Sequence, residues 1–246
     1  MSITKDAVLQ ILAFLCPPAC LACGEVEGLT SLELGLCSRC RRKLEILEGT
    51  KSLTRREPPS SALDGVLSGW SYESPFDAVI HGLKFGRLEY LGQDLADGLH
   101  PLMRDGERKI DVVVPIPLHW HRRLSRGYNQ AEAIARPLAR QLGLPLIKAL
   151  RRRRSTHPQA QLSRGQRETN LRRAFAPTRR RAAKIFDRRL LLVDDVITTG
   201  ATLEAAARCL RNHGARSVLG LTAGRTPDAS GGGGRLTFDK VDMNSL

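Results

Sequence analysis

Apolar residues recur along this chain at two spacings, and the two alternate. From Gly65 onward, Val66–Tyr72 is a short apolar run that predicts a strand. Pro75–Phe85 then carries Phe76, Val79, Ile80 and Leu83 at the three- and four-residue spacing of one helical face. Leu91–Met103 repeats the helical spacing, Asp111–Ile116 is a second strand and Asn129–Leu142 a third helix. Leu146–Leu150 and Arg188–Val193 are further strands, Leu203–His213 is a helix, and Ser217–Thr222 closes the series. Strands alternating with helices predict an α/β domain whose mainly parallel sheet is covered on both faces. Lys51–Pro59 is polar and ends in two prolines, which marks a boundary. The reading divides the chain into a module at 1–50, a linker at 51–64, the α/β domain at 65–226 and a tail at 227–246. The tail holds four consecutive glycines and little apolar content, the composition of a flexible segment.

One strand ends in chemistry. The run Leu190–Val193 stops at two adjacent carboxylates, Asp194 and Asp195, and a short loop follows with Thr198, Thr199, Gly200, Ala201 and Thr202. Open α/β sheets hold their ligands at the carboxyl ends of strands. Ionised carboxylates only accept hydrogen bonds, which suits sugar hydroxyls. The loop offers backbone N–H groups and hydroxyls at the start of a predicted helix, a natural seat for phosphate. Gly200 lets the backbone approach an anion with no Cβ in the way. An ordinary strand–turn–helix with a threonine cap explains the threonines but not the paired acids. A nucleoside-triphosphate loop fails, because no Gly-Lys pair occurs in the chain. This order of groups predicts a phosphorylated ribose.

A second constellation lies near the N-terminus. Cys20 and Cys23 form one Cys-x-x-Cys knuckle and Cys37 and Cys40 another, 13 residues apart. The spacing fits a tetrahedral four-cysteine zinc site, and four thiolates leave no open position, so the metal is structural. A thioredoxin-like pair would need a single knuckle beside a βαβ unit. Cys16 is a spare that could replace a ligand, and Cys209 lies in a predicted helix as a small buried residue. A module of this size is marginal on its hydrophobic core alone, which fits a metal staple.

Charge adds a third element. The 246 residues carry a net charge of +14, and 31 of the 39 basic residues are Arg. Between Arg151 and Arg189 there are 14 basic residues against Glu168 and Asp187. Arginine suits bidentate contact with phosphate, so polyanionic ligands or nucleic acid are one reading and a solvated basic face is the other. Ala7–Leu15 is apolar and runs into Cys16, but its nine residues are too few to span a bilayer. A short amphipathic helix leading into the cysteines is expected, with no membrane insertion and a cytoplasmic location, where thiols stay reduced.

Three more stretches bear on the site. Val114–Gln130 leaves a strand at the same side of the sheet as Asp194, so Arg122, Arg123 and Arg126 are placed to meet a pyrophosphate. His119 and His121 in the same stretch are read as exposed loop residues. Arg151–Asn170 is long, polar and Arg-rich, the composition of a lid or a disordered loop. Lys84 ends a predicted helix, where a lysine complements the helix dipole.

The segment from Leu190 to Thr202 resembles the PRPP-binding motif of type I phosphoribosyltransferases (PRPP, 5-phosphoribosyl 1-pyrophosphate). The knuckles, Leu83-Lys84-Phe85, Val114–Leu118, Arg126–Gln130, Thr156 to Gln159, Leu162-Ser163 and Arg167 to Leu171 extend the match. Together they resemble the ComF family, the double-zinc-ribbon or GntX-like phosphoribosyltransferases, over about Cys16 to Arg225. The resemblance implies a type I fold with a central five-stranded parallel sheet. It implies that Asp194 and Asp195 hold the ribose hydroxyls and that Thr198–Thr202 hold the 5′-phosphate. It places the pyrophosphate at 114–130 and a mobile cover at 151–171. Arg122, Arg126 and Lys84 become the candidate catalytic residues, Mg2+ the companion of PRPP and Zn2+ the structural ion. Two functions follow from the resemblance. One is a PRPP-binding protein acting in natural competence, with single-stranded DNA and a competence helicase as partners. The other is an active transferase moving phosphoribose to a nitrogen acceptor and releasing pyrophosphate.

Overall fold

The computed structural model describes residues 19–26, 33–47, 53–54, 61–103, 109–118, 126–152, 174–178, 181 and 183–227. Its centre is a five-stranded sheet made of β1 (Leu53–Thr54), β2 (Gly65–Ser71), β3 (Val112–Pro115), β6 (Arg189–Ile197) and β7 (Ser217–Arg225). The spatial order is β1-β2-β7-β6-β3, with β2, β7, β6 and β3 parallel and β1 antiparallel at one edge. The α/β class and mainly parallel sheet expected from the apolar spacing are present.

Period two along β6 explains the two layers. Leu191 and Val193 enter one core, while Leu190 and Leu192 enter the other. After the short helix α1 (Ser38–Arg41), the first core is closed by α2 (Phe76–Phe85), α3 (Leu91–Leu99) and α4 (Gln130–Gln141), which supply Phe76, Ile80, Leu83, Leu91, Leu95, Ile134 and Leu138. On the opposite face, α5 (Ala201–Arg211) packs Leu203, Ala206 and Leu210 against Val66, Val112 and Val218. Between β2 and β7, the fully buried hydroxyls of Ser68 and Thr222 satisfy each other at 2.8 Å.

Several boundaries differ from the sequence reading, each for a local reason. The helix expected over Leu91–Met103 is α-helical only to Leu99 and tightens to 3-10 over His100–Met103. Pro101 has no N–H to donate back to Asp97, so the α-helical pattern cannot run on. The strand expected at Leu146–Leu150 is reduced to a parallel bridge from Leu146 to Val113, beyond β3. The chain then turns into β4 (Leu150–Arg152), which pairs antiparallel with β5 (Phe175–Pro177) in a separate ribbon. Arg151 and Arg152 thus belong to a strand, and the rest of the arginine-rich cover falls outside the described residues. The stretch read as a linker contains β1, and Leu63 within it is buried.

The free end of β3 is fastened to β6 by one ion pair. Asp111 accepts from the Arg189 backbone N–H at 2.8 Å and from its guanidinium at 3.0 and 2.7 Å. These hydrogen bonds pull the Asp111 carboxyl down from 3.8 to about 2. A depressed carboxylate contributes stability while ionised and loses it on protonation. Asp111→Asn should therefore be less stable than the parent protein near neutral pH. That difference should shrink as pH falls from about 4 through about 2 and vanish below. Urea unfolding at a series of pH values measures it.

Candidate functional site

The site follows from how far β6 outruns its neighbour. Pairing of β6 with β3 ends at Pro115 opposite Val193, while pairing with β7 continues from Asp194 opposite Thr222 to Ile197 opposite Arg225. The two acids thus sit inside the strand, not after it as expected, on the stretch where one flank of β6 is open. Their carboxylates occupy backbone donors of that stretch: Asp194 accepts from the Asp195 N–H at 3.0 Å and Asp195 from the Val196 N–H at 2.7 Å.

The two carboxylates are held differently. Asp194 is pushed up from 3.8 to about 7 by burial and by the adjacent charge of Asp195. The Asp195 N–H, Lys84 and Arg152 partly offset that rise. Asp195 is paired with Lys84, whose Nζ lies 3.3 Å from Oδ2 with both side chains partly buried. Lys84 is carried there by the last turn of α2. The Tyr128 hydroxyl donates to the carbonyl of the preceding residue, Leu83. Burial pushes Tyr128 up to about 12, so it stays a neutral donor.

The loop after β3 supplies the opposite bank. The Asn129 side chain donates to the Ile116 carbonyl at 2.8 Å, tying the two ends of the loop together. Arg126 donates to Gln130 at 3.3 Å and lies 4.8 Å over the ring of Phe85. Lys84 and Arg126 are thus brought to the same mouth from distant parts of the sequence. Arg122, Arg123, His119 and His121 lie outside the described residues. Below the acids, Thr198–Gly200 turns the chain into α5. Gly200 is left-handed at φ 69°, a geometry that favours glycine, and the Thr199 hydroxyl accepts from the Ala201 N–H at 3.4 Å. Thr198 and Thr199 are exposed while Ala201 and Thr202 are half-buried in the first turn. A helix start that combines backbone N–H groups with threonine hydroxyls can accept an anion.

The four cysteines converge as the spacing predicted. The sulfurs of Cys20, Cys23, Cys37 and Cys40 lie within 4.8 Å of one another, with Cys23 and Cys37 at 3.7 Å. A tetrahedron of Zn–S bonds near 2.3 Å places sulfurs ~3.8 Å apart, so the donor set suits a thiophilic divalent ion. Burial raises the Cys20 thiol, but backbone N–H groups of Cys37, Cys23 and Ala22 outweigh it and bring that thiol to about 6. Cys40 is pushed up to about 12 by burial and by its sulfur neighbours. Four cysteine sulfurs this close could hold a cation. Cys16 lies outside the described residues. Cys209, expected to be buried, is half-buried on α5.

The module is docked on the α/β domain through Leu21, inside the first knuckle. Leu21 sits over Gly35 and Gly82, where an added Cβ would come within 2.6 and 3.1 Å of it. Gly35 is also left-handed, at φ 67°. The Leu34 N–H donates to Asp94 on α3 at 3.0 Å. Gly82 precedes Lys84 by two residues on α2, so the knuckle braces the turn that presents the lysine. The roles of Tyr128 and Leu21 carried no signal in the sequence, because each depends on a partner brought close only by the fold.

Residues 93–222 match the phosphoribosyl transferase domain. Competence protein F of Haemophilus influenzae is 30% identical, over 75% of this chain and 87% of its own length. The chain belongs to the ComF-like family. Within this family, the DNA utilization protein YhgH of Escherichia coli is 34% identical over 80% of this chain and 86% of its own length. Competence protein ComFC of Bacillus subtilis is 28% identical over 89% and 90%. No helix among the described residues is long and apolar enough to cross a membrane.

Leu21→Ala should leave the thiolates in place yet destabilise this ComF-like chain, by about 2 kcal/mol, through the space left between Gly35 and α2. A lower urea midpoint with unchanged metal content per chain is the expected result.

Proposed function

We propose that the crevice beside Asp194 and Asp195 binds PRPP with magnesium and that the protein uses it in handling DNA during natural competence. The observation that carries this reading is the juxtaposition of the two acids with the threonine- and glycine-rich start of α5 on one strand-to-helix connection. In this reading Asp194 and Asp195 accept from the ribose hydroxyls, and Thr198, Thr199, Gly200, Ala201 and Thr202 surround the 5′-phosphate. Lys84, Arg126 and, from its place in the sequence, Arg122 face the pyrophosphate, whose charge magnesium would share. Zinc held by Cys20, Cys23, Cys37 and Cys40 supplies a closed structural centre with no position for chemistry. The DNA role comes from the relatives named for competence and DNA utilization, and implies a cytoplasmic protein acting on single-stranded DNA beside a competence helicase. Transfer of phosphoribose to a nitrogen acceptor is the alternative use of the same ligand.

Calorimetry with PRPP and magnesium tests the reading. Asp195→Asn should abolish the heat of binding, and retention of full affinity would refute the assignment. The Asp194 carboxyl stands near 7 and must lose its proton to accept from both sides of the ribose. Affinity should therefore weaken as pH falls from about 8 to about 6. In a competent host, replacing the protein by Asp195→Asn should lower transformation frequency. A pyrophosphate-release assay on the same samples separates binding from transfer, with no release expected in the absence of an acceptor.

A further inference from the structure

A second concave surface lies away from the crevice, on the flank of the sheet beyond β3. It is a groove of about 550 Å³ lined by Arg136 and Arg140 of α4, by Leu146 and Lys148 along the sheet edge, and by Arg181 and Lys184 ahead of β6. Leu144 and Ile147 extend its apolar floor. None of the groups assigned to the phosphoribosyl crevice lines it. Among the described residues five cations surround the floor, and the carboxylate paired with them, Glu132, is shared by Arg136 and Lys148. Arg140 and Lys184 are exposed on opposite walls. The Arg181 guanidinium donates to the Lys148 carbonyl at 3.3 Å, which ties the third wall to the segment along the sheet edge.

Folding does not require such a surface. Like charges collected around a groove repel one another and gain only when an anion enters. The geometry points to a groove that takes the phosphodiester backbone of a single nucleic-acid strand, with sugars and bases lying over the aliphatic floor. Three features select that occupant. Three of the five cations are arginines, which match phosphate oxygens in a bidentate manner. The groove is concave and small, so a strand can enter it whereas a duplex presents its phosphates on a wide convex cylinder. Among the described residues no aromatic side chain lines it, so contact is to the backbone and is tolerant of sequence. Only the identity of the strand as DNA rests on the competence reading; the groove itself is independent of the PRPP assignment.

Fluorescence anisotropy of the full chain with labelled oligothymidylate tests the inference, using Arg140→Glu/Lys184→Glu, which reverses charge on two walls at exposed positions. The parent protein should bind with an affinity that falls steeply as salt is added. The double variant should bind roughly tenfold or more weakly, with a shallower salt dependence, because phosphate contacts are lost. Its PRPP calorimetry should match the parent, which also certifies its fold. Undiminished oligothymidylate binding by the double variant would overturn the groove while leaving the DNA role standing. No binding by the parent even at low salt would overturn both. Competition by polyglutamate as strong as by oligothymidylate at equal charge would also overturn it, reassigning the groove to an acidic protein partner. Equal binding of oligothymidylate and oligouridylate would support the backbone mode.

Discussion

The crevice exists because β6 is paired on one side for longer than on the other. A strand interior to a parallel sheet has its backbone groups consumed on both flanks and its side chains buried above and below. Beyond Val193 that condition fails on the β3 side and persists on the β7 side. The chain is still held rigidly as a strand, yet it can present acidic side chains to an open space. Paired carboxylates on a loop would be mobile; here they are built into the sheet, and the register with Thr222 fixes their height above it. The lysine that meets them has to be delivered from a separate element, and α2 does so.

Delivery of Lys84 makes the N-terminal cysteines relevant to the site. The knuckle residue Leu21 fills the space over Gly82, and Tyr128 holds the carbonyl of Leu83 from the other side. The last turn of α2 is thereby clamped between a cysteine knuckle and the loop after β3. Two constellations that are far apart in the chain thus share one mechanical element. The buried inner cysteines belong to the same apolar core as Leu83 and Leu91, so the module is part of the layer covering the sheet.

Sequence reasoning reached the α/β architecture because the β6 run and the helical faces have clear periods. It reached the clustering of the four cysteines and the passage from β6 through a loop into α5 because each is contiguous or regularly spaced. It placed the end of β6 too early, since a carboxylate looks like a strand terminator when the neighbour that outlasts it, β7, is unseen. It made a strand of Leu146–Leu150, where the apolar pattern is satisfied by a single bridge and by packing at the edge. The Lys84–Asp195 pair illustrates the limit best: Lys84 alone fits a helix dipole, and only the fold shows which charge it answers.

The outer edge of β2 is closed by residues from the N-terminal side of the chain. Glu45 and Leu47 exchange backbone hydrogen bonds with Ser71 and Gly69, and Leu53 and Thr54 pair with Leu67 and Val66. An open strand edge is a template for other chains. A fragment trimmed to begin at Gly65 would keep every residue of the crevice yet bare that template along β2, a buried and largely apolar strand. The N-terminal segment therefore acts as an insulator against self-association, and fragments that omit it would be governed by their solubility before their ligand chemistry could be read.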